Sequence, residues 1–315
     1  MNPELKEVAT PQGGVFSRGQ AVAAGYSPEQ MRERLGDGRW ERVRHGQYVE
    51  ATDLSGLARW DREALCHRRA VHAVMNSFRG GSVAVSHQSA LVLHELSPWG
   101  VDLDEVQVNR MDDRKGRVRA GVREHGGKLS PLDLTEVSGL LVTTVPRAVV
   151  ELACRCAFEP AVVAVDAALR RKLIGEEELA RLVDVTEFWP GGPGARAALA
   201  FGSRLSESAG ESRLRVLIHN HGLPTPIQQY VFKDAAGFVA RVDFYFPGQR
   251  TVLEFDGLVK YADGSAEVLV QEKLREDRLR ALGVEVVRIT WADLARPQSV
   301  VARLREAFAR AGRAA

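Results

Sequence analysis

The run VARVDFYFPGQRTVLEFDG, residues 239 to 257, restricts the fold more than any other stretch. Two apolar, β-branched and aromatic segments flank Pro247-Gly248-Gln249-Arg250, the pattern of two adjacent strands joined by a turn. Side chains alternate between the faces of a strand. Asp243 and Tyr245 therefore share one face, while Val242, Phe244 and Phe246 take the other. On the next strand Val252, Glu254 and Asp256 oppose Leu253 and Phe255. Pairing the strands as a hairpin brings Asp243 near Glu254 and Asp256. Clustered carboxylates repel, and burial raises that cost. A hard divalent cation, Mg²⁺ or Mn²⁺, removes it by taking oxygen ligands. Such a metal polarises a phosphoryl oxygen and lowers the pKa of an attacking water. A structural reading stands beside this one. Asp256-Gly257 is also a turn signal, and Glu254 can pair with Arg250 or Arg241 as an ordinary ion pair.

A chain of 315 residues suggests two or three domains. Its 45% apolar and 27% charged residues are ordinary for a folded chain, so wholesale disorder is excluded. The formal charge of only +2 means that nucleic-acid affinity has to come from local patches. Cys66, Cys154 and Cys156 form no disulfide or zinc framework. No charged start leads into an apolar signal run, and no stretch approaches the roughly 20 apolar residues of a membrane span. The expectation is a cytoplasmic protein with no membrane partner.

The fold class expected is a multi-domain α/β chain. Residues 1–55 read as a winged helix-turn-helix: Ser17 caps one helix and Gly25 stops it, then Ser27, Pro28 and Gln30 open a second with a capping box. The run RWERVRHGQYVE follows as a hairpin. Residues 56–188 read as a middle α+β domain, beginning with a long helix over 57–77 and continuing with the strand-like runs SVAVS, VQVNR and LLVTT between helices. WPGGPG marks a linker, placed at 189–204. Residues 205–315 give helix, three strands, helix, strand, helix, the order of one α/β domain with a mixed sheet.

In the N-terminal part, Gln30, Arg32 and Arg34 fall on the second helix and Arg39, Arg42 and Arg44 on the hairpin, the places for base and phosphate contacts to double-stranded DNA. Glu29, Glu33, Asp37 and Glu41 interleave with them, so packing against a partner is the alternative. The basic stretch at 111–128 is either a further phosphate contact or a solvated hairpin. His87 and Ser89 in SHQSAL lie two residues apart on a helix start and point to different faces, which excludes a catalytic pair.

GGVFSRGQAVAAGYSPEQMRERLGDGRWERVRHGQYV, followed by SHQSALVLHEL, resembles the winged-helix AbiEi-type antitoxins of type IV toxin–antitoxin systems. That resemblance implies DNA binding and a toxin partner. The C-terminal third resembles the restriction-endonuclease-like PD-(D/E)XK superfamily, in its very-short-patch-repair-like branch. The resemblance rests on Glu211 in ESRLRVL, Asp243, Glu254-Phe255-Asp256-Gly257, EKLREDRLRALG and VEVVRITWADL. It implies a restriction-endonuclease-like domain in which Glu211, Asp243, Glu254 and Asp256 hold Mg²⁺ or Mn²⁺. The superfamily places a lysine two residues after the second acid, where this chain has Asp256. Lys260 or Lys273 then supplies the charge-stabilising role.

Two functions follow. The first is a metal-dependent DNA endonuclease directed by the winged helix, acting in phage defence or DNA repair. The second is a non-catalytic DNA-binding regulator of antitoxin type, with a degenerate nuclease fold used for binding or as a homodimer contact.

Overall fold

The computed structural model describes residues 1–78, 81–96, 98–112, 114–235, 237–257 and 266–313. The chain divides into two compact units, Met1–Ala164 with Lys172–Ala200, and Val165–Arg171 with Phe201–Ala315.

The first unit opens with α1 (Pro3–Ala9), β1 (Phe16–Ser17), α2 (Arg18–Ala23), α3 (Pro28–Gly36), β2 (Trp40–Arg44) and β3 (Gln47–Glu50). Helix α1 was not among the expected elements. Asn2 starts it by accepting from the Leu5 N–H, with Pro3 at the first position. Capping boxes of Ser17 with Gln20 and Ser27 with Gln30 start α2 and α3, as their spacing predicts. Gly25, at φ +88°, turns the chain between them. The strands form an antiparallel sheet in the order β1-β3-β2. Its inner face carries Phe16, Trp40 and Tyr48, packed with Leu5 of α1, Met31 of α3 and Tyr26 from the turn between α2 and α3.

Next comes α4 (Arg59–Met75), which brings Ala73 against Val15, Val43 and Val49 on the other side of that sheet. A six-stranded sheet follows, built from β4 (Val83–Val85), β5 (Val106–Arg110), β6 (Arg117–Arg119), β7 (Val122–His125), β8 (Leu134–Val137) and β9 (Leu140–Thr143) in the order β6-β7-β5-β4-β9-β8. Strands β4, β5 and β9 are the three expected runs. Strands β6 and β7 form a hairpin inside the basic stretch, turned by Ala120 and Gly121, both at positive φ. Helices α5 (His87–Leu93) and α6 (Val145–Ala153) follow β4 and β9; α7 (Phe158–Arg170), α8 (Glu176–Val185) and α9 (Gly192–Phe201) come after.

The segment expected as a linker is therefore largely helix α9. Gly191 at φ +81° lies so close to the Cys154 carbonyl that a Cβ would sit 1.9 Å from it. Pro193 falls in the first turn, where a missing N–H costs nothing. Ala195, Ala198 and Leu199 are buried at helical spacing. Gly and Pro here begin a helix instead of preventing one.

The second unit contains the end of α7, then α10 (Ala209–Asn220), β10 (Ile227–Asp234), β11 (Gly237–Phe246), β12 (Thr251–Asp256), α11 (Ala266–Ala281), β13 (Glu285–Thr290), α12 (Trp291–Leu294) and α13 (Pro297–Arg313). The sheet order is β10-β11-β12-β13, with antiparallel pairs except the parallel β12–β13, which α11 connects. This is the mixed sheet the sequence pattern predicts. Leu214, Leu217 and Ile218 of α10 and Val300, Val301 and Leu304 of α13 cover one face, against Phe244, Phe246, Leu253 and Ile289. Leu279 of α11 covers the other, against Val242, Val252 and Val284. Inside this unit the Arg215 guanidinium donates through Nη2 to both Asp166 oxygens at 2.7 and 2.6 Å, and the Ser203 N–H donates to the same carboxylate.

Among the described residues, no helix is long and apolar enough to cross a membrane.

Candidate functional site

The acids of the second unit gather where β11 and β12 part. Ser208 caps α10, and Gly210 sits under the Phe255 ring, whose Cε1 lies 2.1 Å from where a Cβ would be. That close approach delivers the next residue, Glu211, toward Asp243. Glu211 is buried. Its Oε2 accepts from the Glu207 N–H at 2.8 Å and Gln229 Nε2 at 3.1 Å, and its Oε1 from the Ser208 hydroxyl at 2.8 Å. Burial, and after it the Asp243 charge, pushes the Glu211 carboxyl up to about 7.

The β11–β12 ladder ends at Phe244 and Leu253, one residue short of Asp243 and of Glu254. Asp243 Oδ2 accepts from the Phe255 N–H at 2.8 Å, closing the gap the ladder leaves. Glu254 receives Arg275 Nη1 and Nη2 on its two oxygens, each at 2.8 Å. Arg288 Nε lies 3.7 Å from the same carboxylate, and Arg288 Nη2 is 3.0 Å from Glu276. Asp256 ends β12 opposite Thr290 of β13.

The structure thus brings Glu211 to Asp243, and Asp243 to the backbone of Phe255 beside Glu254. Lys273 is exposed, and Lys260 lies outside the described residues. Neither surface partner foreseen for Glu254 is used. Arg241 pairs with Glu207, and Arg250 donates to the Leu282 carbonyl. Arg275 escaped the sequence reading, although it stands four residues before Leu279 and so shares that helix's buried face.

The donors of this set are already engaged within the protein. Both Glu254 oxygens are held by one guanidinium, both Glu211 oxygens by donors around the start of α10, and one Asp243 oxygen by the backbone. Among the described residues, no three His, Cys, Asp or Glu side chains are grouped to hold a metal ion. As arranged, these side chains do not fit Mg²⁺ or Mn²⁺.

At the other end of the chain, α3 and the β2–β3 hairpin differ in how their cations are committed. Gln30 Oε1 accepts from the Ser27 N–H at 2.8 Å, so its side chain serves the helix start. Arg32 pairs with Glu29 at 2.8 Å, and Arg39 pairs with Glu33 and Asp37. Arg34 lies over Tyr26 and Trp40, 5.1 and 5.6 Å from their ring centres. Arg42 and Arg44 flank a register shift in β2, and neither side chain is ion-paired among the described residues. Arg18, unremarked in the sequence, joins them: its N–H donates to Gly46 O in the hairpin turn, and its exposed side chain is also unpaired. Among the described residues of this segment, Arg42 and Arg44 of the hairpin and Arg18 of α2 carry positive charge with no ion-pair partner, whereas on α3 Arg32 pairs with Glu29 and Arg34 lies over two rings.

Half of the Arg and Lys residues of the basic 111–128 stretch are ion-paired among the described residues, Arg114 with Asp112 among them. Arg110 pairs with Asp112 and Glu124, Arg117 with Glu124, and Arg123 with Glu105. His87 and Ser89 make no pair with each other. Ser89 Oγ lies 2.8 Å from His67 Nε2 and accepts from the Gln107 N–H, all buried. Burial pushes the His87 imidazole down to about 3, so its 3.7 Å approach to Glu151 is not an ion pair. Glu151 instead gathers the His87 N–H, Asn109, Thr143 and Arg147 as four donors.

Residues 4–51 match a family model described as transcriptional regulator, AbiEi antitoxin. That span takes in α1 through β3. Over 233 residues the chain is 31% identical to two proteins of Mycobacterium tuberculosis: uncharacterized protein MT2308 of strain CDC 1551 / Oshkosh and uncharacterized protein Rv2248 of strain ATCC 25618 / H37Rv. Each alignment covers 74% of this chain and 83% of the relative. The chain belongs to the family of these two mycobacterial proteins.

Proposed function

We propose that this chain is a DNA-binding transcriptional regulator of antitoxin type, whose first 55 residues or so act as a winged helix-turn-helix. The observation that carries this reading is the coincidence of the antitoxin-family match over residues 4–51 with a helix-turn-helix followed by a hairpin bearing uncommitted arginines. Arg42 and Arg44 from the hairpin and Arg18 from the start of α2 supply phosphate contacts, and α3 lies along the groove beside them. A toxin partner and a homodimer belong to the same reading; mass spectrometry of copurifying proteins and light scattering test them. The main test is fluorescence anisotropy with duplexes from the gene's own upstream region and unrelated duplexes of equal length. Binding that favours the upstream duplex and weakens with salt supports the reading. Absence of duplex binding at low salt removes it.

A second reading, metal-dependent phosphodiester hydrolysis by a restriction-endonuclease-like C-terminal domain, rests on Glu211 lying beside Asp243 and requires Arg275 to leave Glu254, since the acids as arranged do not fit the metal. Plasmid incubated with Mg²⁺ or Mn²⁺ tests it. Cleavage abolished by Asp243→Ala and by Glu254→Ala supports hydrolysis at these acids, and cleavage indifferent to both places it elsewhere.

A further inference from the structure

The acidic end of the second unit already carries positive charge on the carboxylate that its sequence marks for a metal. We propose that Arg275 is the resident counter-cation of this cluster, and that it closes Glu254 to divalent metal in the wild-type chain. This stands apart from the DNA-binding reading, which concerns a different part of the chain.

Three observations carry it. The first is geometry: two parallel N–H donors meet two carboxylate oxygens at 2.8 Å, the planar match that guanidinium makes and ammonium cannot. The second is anchoring. The pair is largely shielded, with side chains 26% and 13% exposed. One turn after Arg275, Leu279 is fully buried between Val242, Val252 and Val284. Arg278 ties the same helix to Asp234 at 2.7 Å. Arg275 is therefore held over β12 and is not a loose surface arm. The third is charge. Arg288 approaches Glu254 from β13, so a second guanidinium already faces this carboxylate. A divalent ion arriving there meets two positive side chains, and displacing Arg275 leaves its charge shielded from water without its partner.

The same geometry accounts for the missing superfamily lysine. Lys273 stands two residues before Arg275, roughly 200° around the helix, and points to solvent. The cation at Glu254 comes from the buried face of α11, as a guanidinium.

The test is Mn²⁺ binding to the full chain after chelator treatment, read from the spin-resonance signal of free Mn²⁺. Wild type is compared with Arg275→Gln, Glu254→Gln and the double variant, and the quantity read is the uptake that depends on Glu254. We expect none in wild type. In Arg275→Gln we expect Glu254-dependent uptake to appear, and to be lost again in the double variant. Glu254-dependent uptake by wild type overturns the proposal, as does a folded Arg275→Gln that gains none. If Arg275→Gln fails to fold, the double variant decides: recovery of folding supports an uncompensated Glu254 as the cause, and continued failure overturns it.

Discussion

Glu211 titrates near 7 in the folded chain and near 4.5 as an ordinary glutamate, because burial and Asp243 disfavour its charge. The folded state therefore holds a proton that the unfolded state releases. The stabilisation is complete below about pH 4.5 and is lost as pH rises through about 7. Melting temperatures measured across this window should fall for wild type, with a loss on the order of 1–3 kcal/mol, and should be flatter in Glu211→Gln. Gly210 makes a steric prediction at the neighbouring position. A Cβ there meets the Phe255 ring, which itself packs edge-on against Trp291 at 5.1 Å. Gly210→Ala should cost about 1–3 kcal/mol by overpacking and alter tryptophan fluorescence. An unchanged melting curve and spectrum would contradict that contact. The acids were legible as residues of two strands, but strict alternation was not kept: Val242 packs with Val252 and Leu279, on the face opposite Phe244 and Phe246. Arg275 was not legible, because where a long side chain ends is settled by tertiary packing.

Elements with their own start signals were the legible ones. Ser17–Gln20 and Ser27–Gln30 each close a capping box within three residues, so α2 and α3 follow from short-range chemistry. Helix α9 did not follow, because a Gly-Pro run is ambiguous until tertiary contacts choose a backbone: Gly191 is pinned under Cys154. Strands β6 and β8 lie at the edges of their sheet, where little burial imposes an apolar pattern. On the hairpin, the separation of committed from uncommitted arginines makes an element-level prediction. Arg42→Ala with Arg44→Ala should weaken duplex binding and lower the slope of log affinity against log salt by roughly 2, close to one per lost phosphate contact. Arg34→Ala should act mainly on stability, by about 0.5–1 kcal/mol, through its place over Tyr26 and Trp40. A salt slope unchanged by the hairpin pair would move the DNA-contacting surface elsewhere.

At the scale of the whole molecule, the two compact units do not follow the linear order of the sequence. The second recruits Val165–Arg171, which precede the rest of it by some thirty residues belonging to the first. Nothing local in EPAVVAVDAALRR announces this, because the same apolar spacing serves either unit. Asp166 is the consequential residue of that segment: it is 1% exposed and neutralises Arg215 on α10. Asp166→Ala should destabilise the second unit by about 3–5 kcal/mol, the cost of leaving a shielded guanidinium unpaired, measurable by denaturant titration. For gene architecture, the last third of this chain is not a cassette that recombination can lift out whole. A break placed after α9 strands Arg215 without its counter-ion, so a transplanted descendant has to carry the upstream helix along or lose the arginine.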